Sequence, residues 1–255
     1  MTVAGRIRTV GTRFERTLLA RPGVEPDTTT RVTWLQGEQL YCDLRQPAQL
    51  QTVAAPTLAR MGIDDLVTLA GQDGFAGRLL DRGEYVEWER AVTLHPLGPT
   101  PDAGRLAILD AGTLVEHGVF EDYTEHWHIA EVSPHVDEYL LEDVDTGATA
   151  VLVRVGDTFA FARGRDRVIG TEPLIEQIRG AATLADAQAL MDCEIAVGRV
   201  HDGRWSITAS TLPYRVGDAL DPSFGDETHT RDRAFDGTAV TRRWRSVDPT
   251  FRSRS

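Results

Sequence analysis

A chain of 255 residues with 41% hydrophobic and 26% charged content can build one large or two modest domains, and no apolar run approaches the ~20 residues of a membrane helix. Its 27 cations are all arginine, so a Schiff-base lysine, a pyridoxal phosphate anchor, a P-loop lysine and a kinase-type lysine are excluded. A net charge of −12 argues against a general affinity for nucleic acid, because phosphate binding needs a cationic surface. Asparagine is absent as well, a composition expected of a GC-rich, bacterial kind of genome. The arginines near the start are followed by no apolar signal core, so a cytoplasmic location is expected.

In chain order, residues 1–27 read as a basic N-terminal arm, with Arg6, Arg8, Arg13, Arg16 and Arg21 set against Glu15. Such an arm meets an acidic protein partner, pairs with the protein's own acidic surface, or forms an edge strand. Period-two segments then predict strands at 31–35 and 39–45 around the turn Gln36-Gly37-Glu38, a helix over 58–70, and strands at 74–80, 84–95, 105–109, 113–119 and 123–132. A Pro/Gly/Asp loop fills 96–104. Residues 28–133 thus carry enough strands to close a small barrel.

The Ser133-Pro134-His135 junction marks a boundary, and residues 134–255 form the second unit, ending in a C-terminal tail. Strands are predicted at 136–142, 149–155 and 158–163, with turns at Asp145-Thr146-Gly147 and Gly156-Asp157. Pro173 opens a helix over 174–179 and Thr183 caps another over 184–192. Strands resume at 193–200 and 205–211 around His201-Asp202-Gly203, and again at 238–247. Cys42, among Leu40 and Leu44, and Cys193, among Ile195 and Val197, sit in apolar stripes that suit buried thiols. The stripe of Phe159 and Phe161 and that of Trp205 and Ile207 read as core, with Arg163 the one inward polar anchor for a second pocket. The fold expected is mainly β: two antiparallel β-barrels in tandem, each with one or two short helices.

Strand parity nominates a site. Over 84–95 the even positions Val86, Trp88, Val92 and Leu94 make an apolar face that includes Arg90. Over 123–132 the bulky face holds Tyr123, Trp127 and Ile129 together with Glu125, while Thr124, His126 and His128 point the other way. His117 shares parity with Val115 and is expected to face the same interior. A buried carboxylate needs a partner, and Arg90 is the one expected for Glu125. The predicted ligand-binding constellation is Trp88, Arg90, His117, Tyr123, Glu125 and Trp127; it anchors a ligand's polar end, or else Arg90 and Glu125 merely satisfy each other. Catalytic candidates within it are Glu125, His117 and Tyr123. No metal or other cofactor is expected; His126 and His128, aided by Glu116 or Glu121, are the weak candidates for a metal.

Five short motifs resemble the fungal HRI (HRR-interacting) family and its bacterial relatives: Trp34-Leu35-Gln36 leading to Tyr41-x-Asp43-Leu44-Arg45; Asp73-Gly74-Phe75-Ala76-Gly77; Leu114-x-Glu116-x-Gly118; Tyr123-x-Glu125-x-Trp127; and Val153-Arg154-Val155-Gly156-Asp157. That resemblance implies tandem lipocalin-like (calycin) barrels and no defined reaction. Lipocalin-type barrels suggest by analogy a small, mostly apolar ligand held inside a barrel. The alternatives are a protein-interaction or scaffold module that uses the arm, and a cofactor-independent isomerase, cyclase or lyase with Glu125 or His117 as base and Tyr123 as donor.

Overall fold

The computed structural model describes residues 9–247. Its first half is a closed antiparallel barrel in which each strand pairs with the next and the last returns to the first. The strands are β1 (Thr12–Ala20), β2 (Arg31–Gln36), β3 (Leu40–Gln46), β4 (Asp73–Asp81), β5 (Val86–Thr93), β6 (Ala103–Asp110), β7 (Thr113–Gly118) and β8 (Thr124–Val132). Strand β1 corrects the reading of residues 1–27 as an arm. Its alternation of Phe14 with charged residues is that of a strand half turned to a core, and it pairs with both β2 and β8. Arg13 pairs with Glu131, and Arg16 with Asp27 and Glu125. Arg6 and Arg8 lie outside the described residues. The predicted helix over 58–70 is split into a short 3-10 turn, Leu58–Arg60, and α1 (Ile63–Leu69), because Gly62 takes extended backbone between them and Asp65 accepts its N–H at 3.0 Å.

The second half holds β9 (Val136–Asp143), β10 (Thr149–Val155), β11 (Thr158–Arg163), α2 (Leu174–Arg179), α3 (Leu184–Leu190), β12 (Glu194–His201), β13 (Arg204–Ser210), β14 (Thr228–Arg233) and β15 (Ala239–Val247). Instead of a second barrel closed strand to strand, they form a curled seven-stranded sheet in the order β13-β12-β11-β10-β9-β15-β14. Its two edges are laced by residues 217–223. The Leu220 N–H donates to Trp205 O at 2.8 Å on one side, and the Arg231 N–H donates to Leu220 O at 2.8 Å on the other. A positive φ of 37° at Asp221, followed by Pro222, keeps this lacing segment from becoming a strand.

The largest apolar core lies between the two halves. Leu40, Cys42 and Leu44 on the outside of the barrel meet Val151, Val153, Cys193 and Ile195 of the sheet, and α1, α2 and α3 seal the rim. Both cysteines are free and buried there. Strand β3 and the adjoining stretches of β2 and β4 are therefore buried on two faces. The inner face of the curled sheet is filled by Phe159, Phe161, Trp205, Ile207 and Trp244, as the aromatic stripes predicted. Arg163 is no ligand anchor: it pairs with Asp192 at 2.7 Å and with buried Asp232 at 3.3 Å.

Candidate functional site

Inside the barrel, alternate residues of eight strands converge on an aromatic layer. Trp34 is stacked on Phe14 at 4.4 Å and meets Trp88 and Trp127 edge-on at 5.6 and 5.4 Å. Above it a cavity of about 560 Å³ opens, lined by Trp34, Phe75, Trp88 and Trp127 and by a ring of charged groups. Its opening follows from the sequence of one loop. Strands β5 and β6 share only the register pairs Val86 with Gly104 and Glu87 with Ala103. One further rung, from the Trp88 N–H to Asp102 O at 2.9 Å, ends the ladder. Upstream of it stand Pro99 and Pro101, which have no N–H to give, so β6 cannot continue back along β5 and the wall parts there.

A bulge decides what β5 shows to this seam. The β4–β5 register slips between Ala76 and Gly77, so Trp88 and Arg90 point inward whereas Val92 and Leu94 turn outward into the inter-sheet core. The single apolar face expected over 84–95 is thus split between two cores. Gly77 permits the slip, because a Cβ there would overlap the Glu89 carbonyl oxygen.

The charges are arranged in pairs. Arg45 grips Asp43 with two bonds, Nε to Oδ1 at 2.8 Å and Nη2 to Oδ2 at 3.2 Å, and reaches Glu125 Oε1 at 3.4 Å. Arg16 reaches the same Glu125 oxygen at 2.6 Å and Asp27 at 2.9 Å. Burial drives the Asp43 carboxyl up, to about 6, against the pull of Arg45. Arg90 does not partner Glu125: its guanidinium lies 3.5 Å from the Phe75 ring centre and pairs with Asp102 at 2.5 Å. Glu116, directly opposite Glu125 in the β7–β8 register, lies 2.6 Å from the Tyr123 hydroxyl and accepts the Trp127 indole N–H at 3.0 Å. Gly104 makes room for it, since a Cβ there would meet the Glu116 side chain at 2.6 Å.

Of the predicted residues, Trp88, Arg90, Tyr123, Glu125 and Trp127 line the cavity. His117 does not. On β7 it is Leu114 and Glu116 that face inward, while His117 is exposed outside the barrel and lies 3.1 Å from Thr124 Oγ1. His126 and His128 also face outward, and no group of three metal-ligating side chains occurs among the described residues. The residues that sequence reasoning missed are Arg16, Asp43, Arg45, Phe75, Asp102 and Glu116. A signal existed for two of them: Tyr41, Asp43 and Arg45 alternate with Leu40, Cys42 and Leu44, so one face of β3 is polar.

Fold and cavity define a mainly β protein with a closed eight-stranded antiparallel barrel. No helix among the described residues is long and apolar enough to cross a membrane. No family model and no curated protein matches the chain. Among solved structures it is similar to an uncharacterised protein of Saccharomyces cerevisiae, YLR301w, with a TM-score of 0.52 and 12% identity over 93% of this chain and 98% of that one. At that identity the likeness concerns the fold alone.

Proposed function

We propose that the protein binds a small molecule in the first barrel, admitted through the seam between β5 and β6. The observation that carries this reading is the cavity of about 560 Å³ between an aromatic floor and a ring of paired charges. A barrel that only had to satisfy an Arg–Glu pair has no need of that space; the curled sheet satisfies its own buried charges around a filled interior. The size is within the roughly 300–1,000 Å³ range of small-molecule sites. The ligand is read as having an apolar body for the tryptophans and a polar end for the ring.

The barrel is read as lipocalin-like, with support in its next-neighbour strand order. Kinship with the HRI family draws its support from the order of the five motifs. A cytoplasmic setting fits two buried, unbridged thiols. The scaffold alternative loses ground because Arg13 and Arg16 are engaged within the fold. A proton-transfer enzyme would have to do without His117, which lies outside the barrel, and would keep Glu125 as the base with Tyr123 as the donor.

Titration with the neutral fluorophore N-phenyl-1-naphthylamine tests the binding reading. A saturable, one-to-one rise in emission is expected, weakened by Thr100→Trp at the exposed rim of the cavity. Emission that never saturates, or that ignores the rim variant, contradicts it.

A further inference from the structure

The ladder between β5 and β6 stops short at the end away from the cavity too. Val86 opposite Gly104 is its last pair there, and the chain turns back into β4 through a hairpin in which the Arg82 N–H donates to Tyr85 O at 2.9 Å. Strand β6 runs on to Asp110 with β7 alone beside it. Main-chain direction alternates along an antiparallel strand, and two bonds set the phase: Ala103 O accepts from Val119 on the β7 side, and Asp102 O accepts from Trp88 on the β5 side. Leu106 and Ile108 therefore aim their N–H and C=O groups away from β7, at an edge that no strand among the described residues covers.

The side chains of this stretch are as uncovered as its main chain. Ile108 and Leu109 are 64% and 60% exposed. Native sheet edges are usually blunted by a proline, a lysine or another charge, and residues 106–109 carry none. Such an edge is a template for another strand.

The order Arg105-Leu106-Ala107-Ile108-Leu109-Asp110 says which strand fits. The β6–β7 register slips between Ile108 and Asp110, leaving Leu109 without a counterpart. Arg105, Ala107 and Asp110 then stand opposite His117, Val115 and Thr113 on the outer face, while Leu106 and Ile108 stand opposite Glu116 and Leu114 on the inner one. Leu109 apart, the positions are symmetric about Ala107. A two-fold axis through Ala107, normal to the sheet, sets Arg105 opposite Asp110 of a second copy and Leu106 opposite Ile108, each pair on a common face. Without the bulge, Arg105 and Asp110 would lie on opposite faces and no such axis would match them. Both are exposed, and neither has an ion-pair partner among the described residues. Leu106 and Ile108, whose main-chain groups are free, become the hydrogen-bonded pairs. Ala107 takes the non-hydrogen-bonded position on the axis, where Cα atoms approach to about 4.5 Å and a small side chain suits.

We propose that the protein pairs with a second copy of itself along this edge, joining two barrels through an antiparallel β6–β6 ladder. Residues 105–110 line no part of the cavity, whose mouth is at the other end of β6, so pairing and ligand binding are separable.

Sedimentation velocity of the full chain over a concentration series tests this. A dimer that grows with concentration and goes no further is expected, because a two-fold contact closes on itself. Ile108→Pro should abolish it and leave the β6–β7 ladder intact, since the N–H removed is one that only the second copy uses. Arg105→Asp and Asp110→Arg should each weaken self-association by about tenfold, because like charges then face each other at both ends of the ladder. Mixed one to one, these two variants should associate within about threefold of the parent, each supplying the charge that the other has reversed. A chain that stays monomeric, a dimer that persists in Ile108→Pro, or a mixture that associates no better than its components overturns the proposal and leaves the ligand site standing.

Discussion

Arg215→Met is expected to destabilise the fold by about 3–5 kcal/mol, the cost of leaving a buried charge without its partner. The Arg215 side chain is 2% exposed and donates to Glu194, which is 0% exposed, at 3.0 Å. It also reaches Asp218 at 2.9 Å and Asp232 at 3.4 Å. Asp232 keeps Arg163 and Arg242, and Asp218 keeps Arg233, so the loss falls on Glu194. Burial already drives the Glu194 carboxyl upward against the pull of Arg215. Chemical denaturation should show the midpoint falling in Arg215→Met and largely recovering in Arg215→Met/Glu194→Leu, where no charge is stranded. A single variant within about 0.5 kcal/mol of the parent would place it among ordinary surface substitutions and contradict the packing described for the curled sheet.

Arg16→Met is the second large effect, expected to cost about 3 kcal/mol for the same reason. It removes the 2.6 Å partner of Glu125 and leaves that carboxylate with Arg45 at 3.4 Å, facing Glu116 across the β7–β8 register. The double variant Arg16→Met/Glu125→Leu should regain much of the loss, a coupling that a double-mutant cycle reads directly. Arg90→Met should cost less, because its ion pair with Asp102 is a fifth to a quarter exposed and Glu125 keeps both its guanidiniums. If Arg90→Met proved the more damaging, the pairing of Glu125 with Arg90 read from sequence would be restored.

Much of the fold was legible because period-two patterning and turn residues are local signals. The strands Thr149–Val155 and Thr158–Arg163 and the helix Leu174–Arg179 stand where the pattern put them. Strand β1 was hidden by its arginines: on a strand whose inward charge meets Glu125, net charge says nothing about burial. Strand β14 (Thr228–Arg233) was hidden likewise, as its sequence THTRDR carries no apolar stripe and its inward Asp232 is satisfied by arginines from elsewhere in the chain.

The site was half legible for a related reason. Parity worked on β8, where the outer face is polar, and put Glu125 and Trp127 inside. It failed on β7, where Val115 is buried on the outer side, so an apolar residue did not mark the interior and His117 was assigned there in place of Glu116. On β3 the second half of the chain buries the barrel's outside and takes Leu40, Cys42 and Leu44, leaving Asp43 and Arg45 to the interior. Which face of a strand is inside depends on what covers the other, a long-range fact that no window of sequence contains.

Native mass spectrometry of the protein released gently from the cells that make it tests the central claim most directly, because it asks whether the seam-opened cavity is occupied. A one-to-one, non-covalent small-molecule adduct is expected, shed on mild activation and reduced in Thr100→Trp. A bare polypeptide mass, in a preparation that also fails to take up N-phenyl-1-naphthylamine, would contradict it.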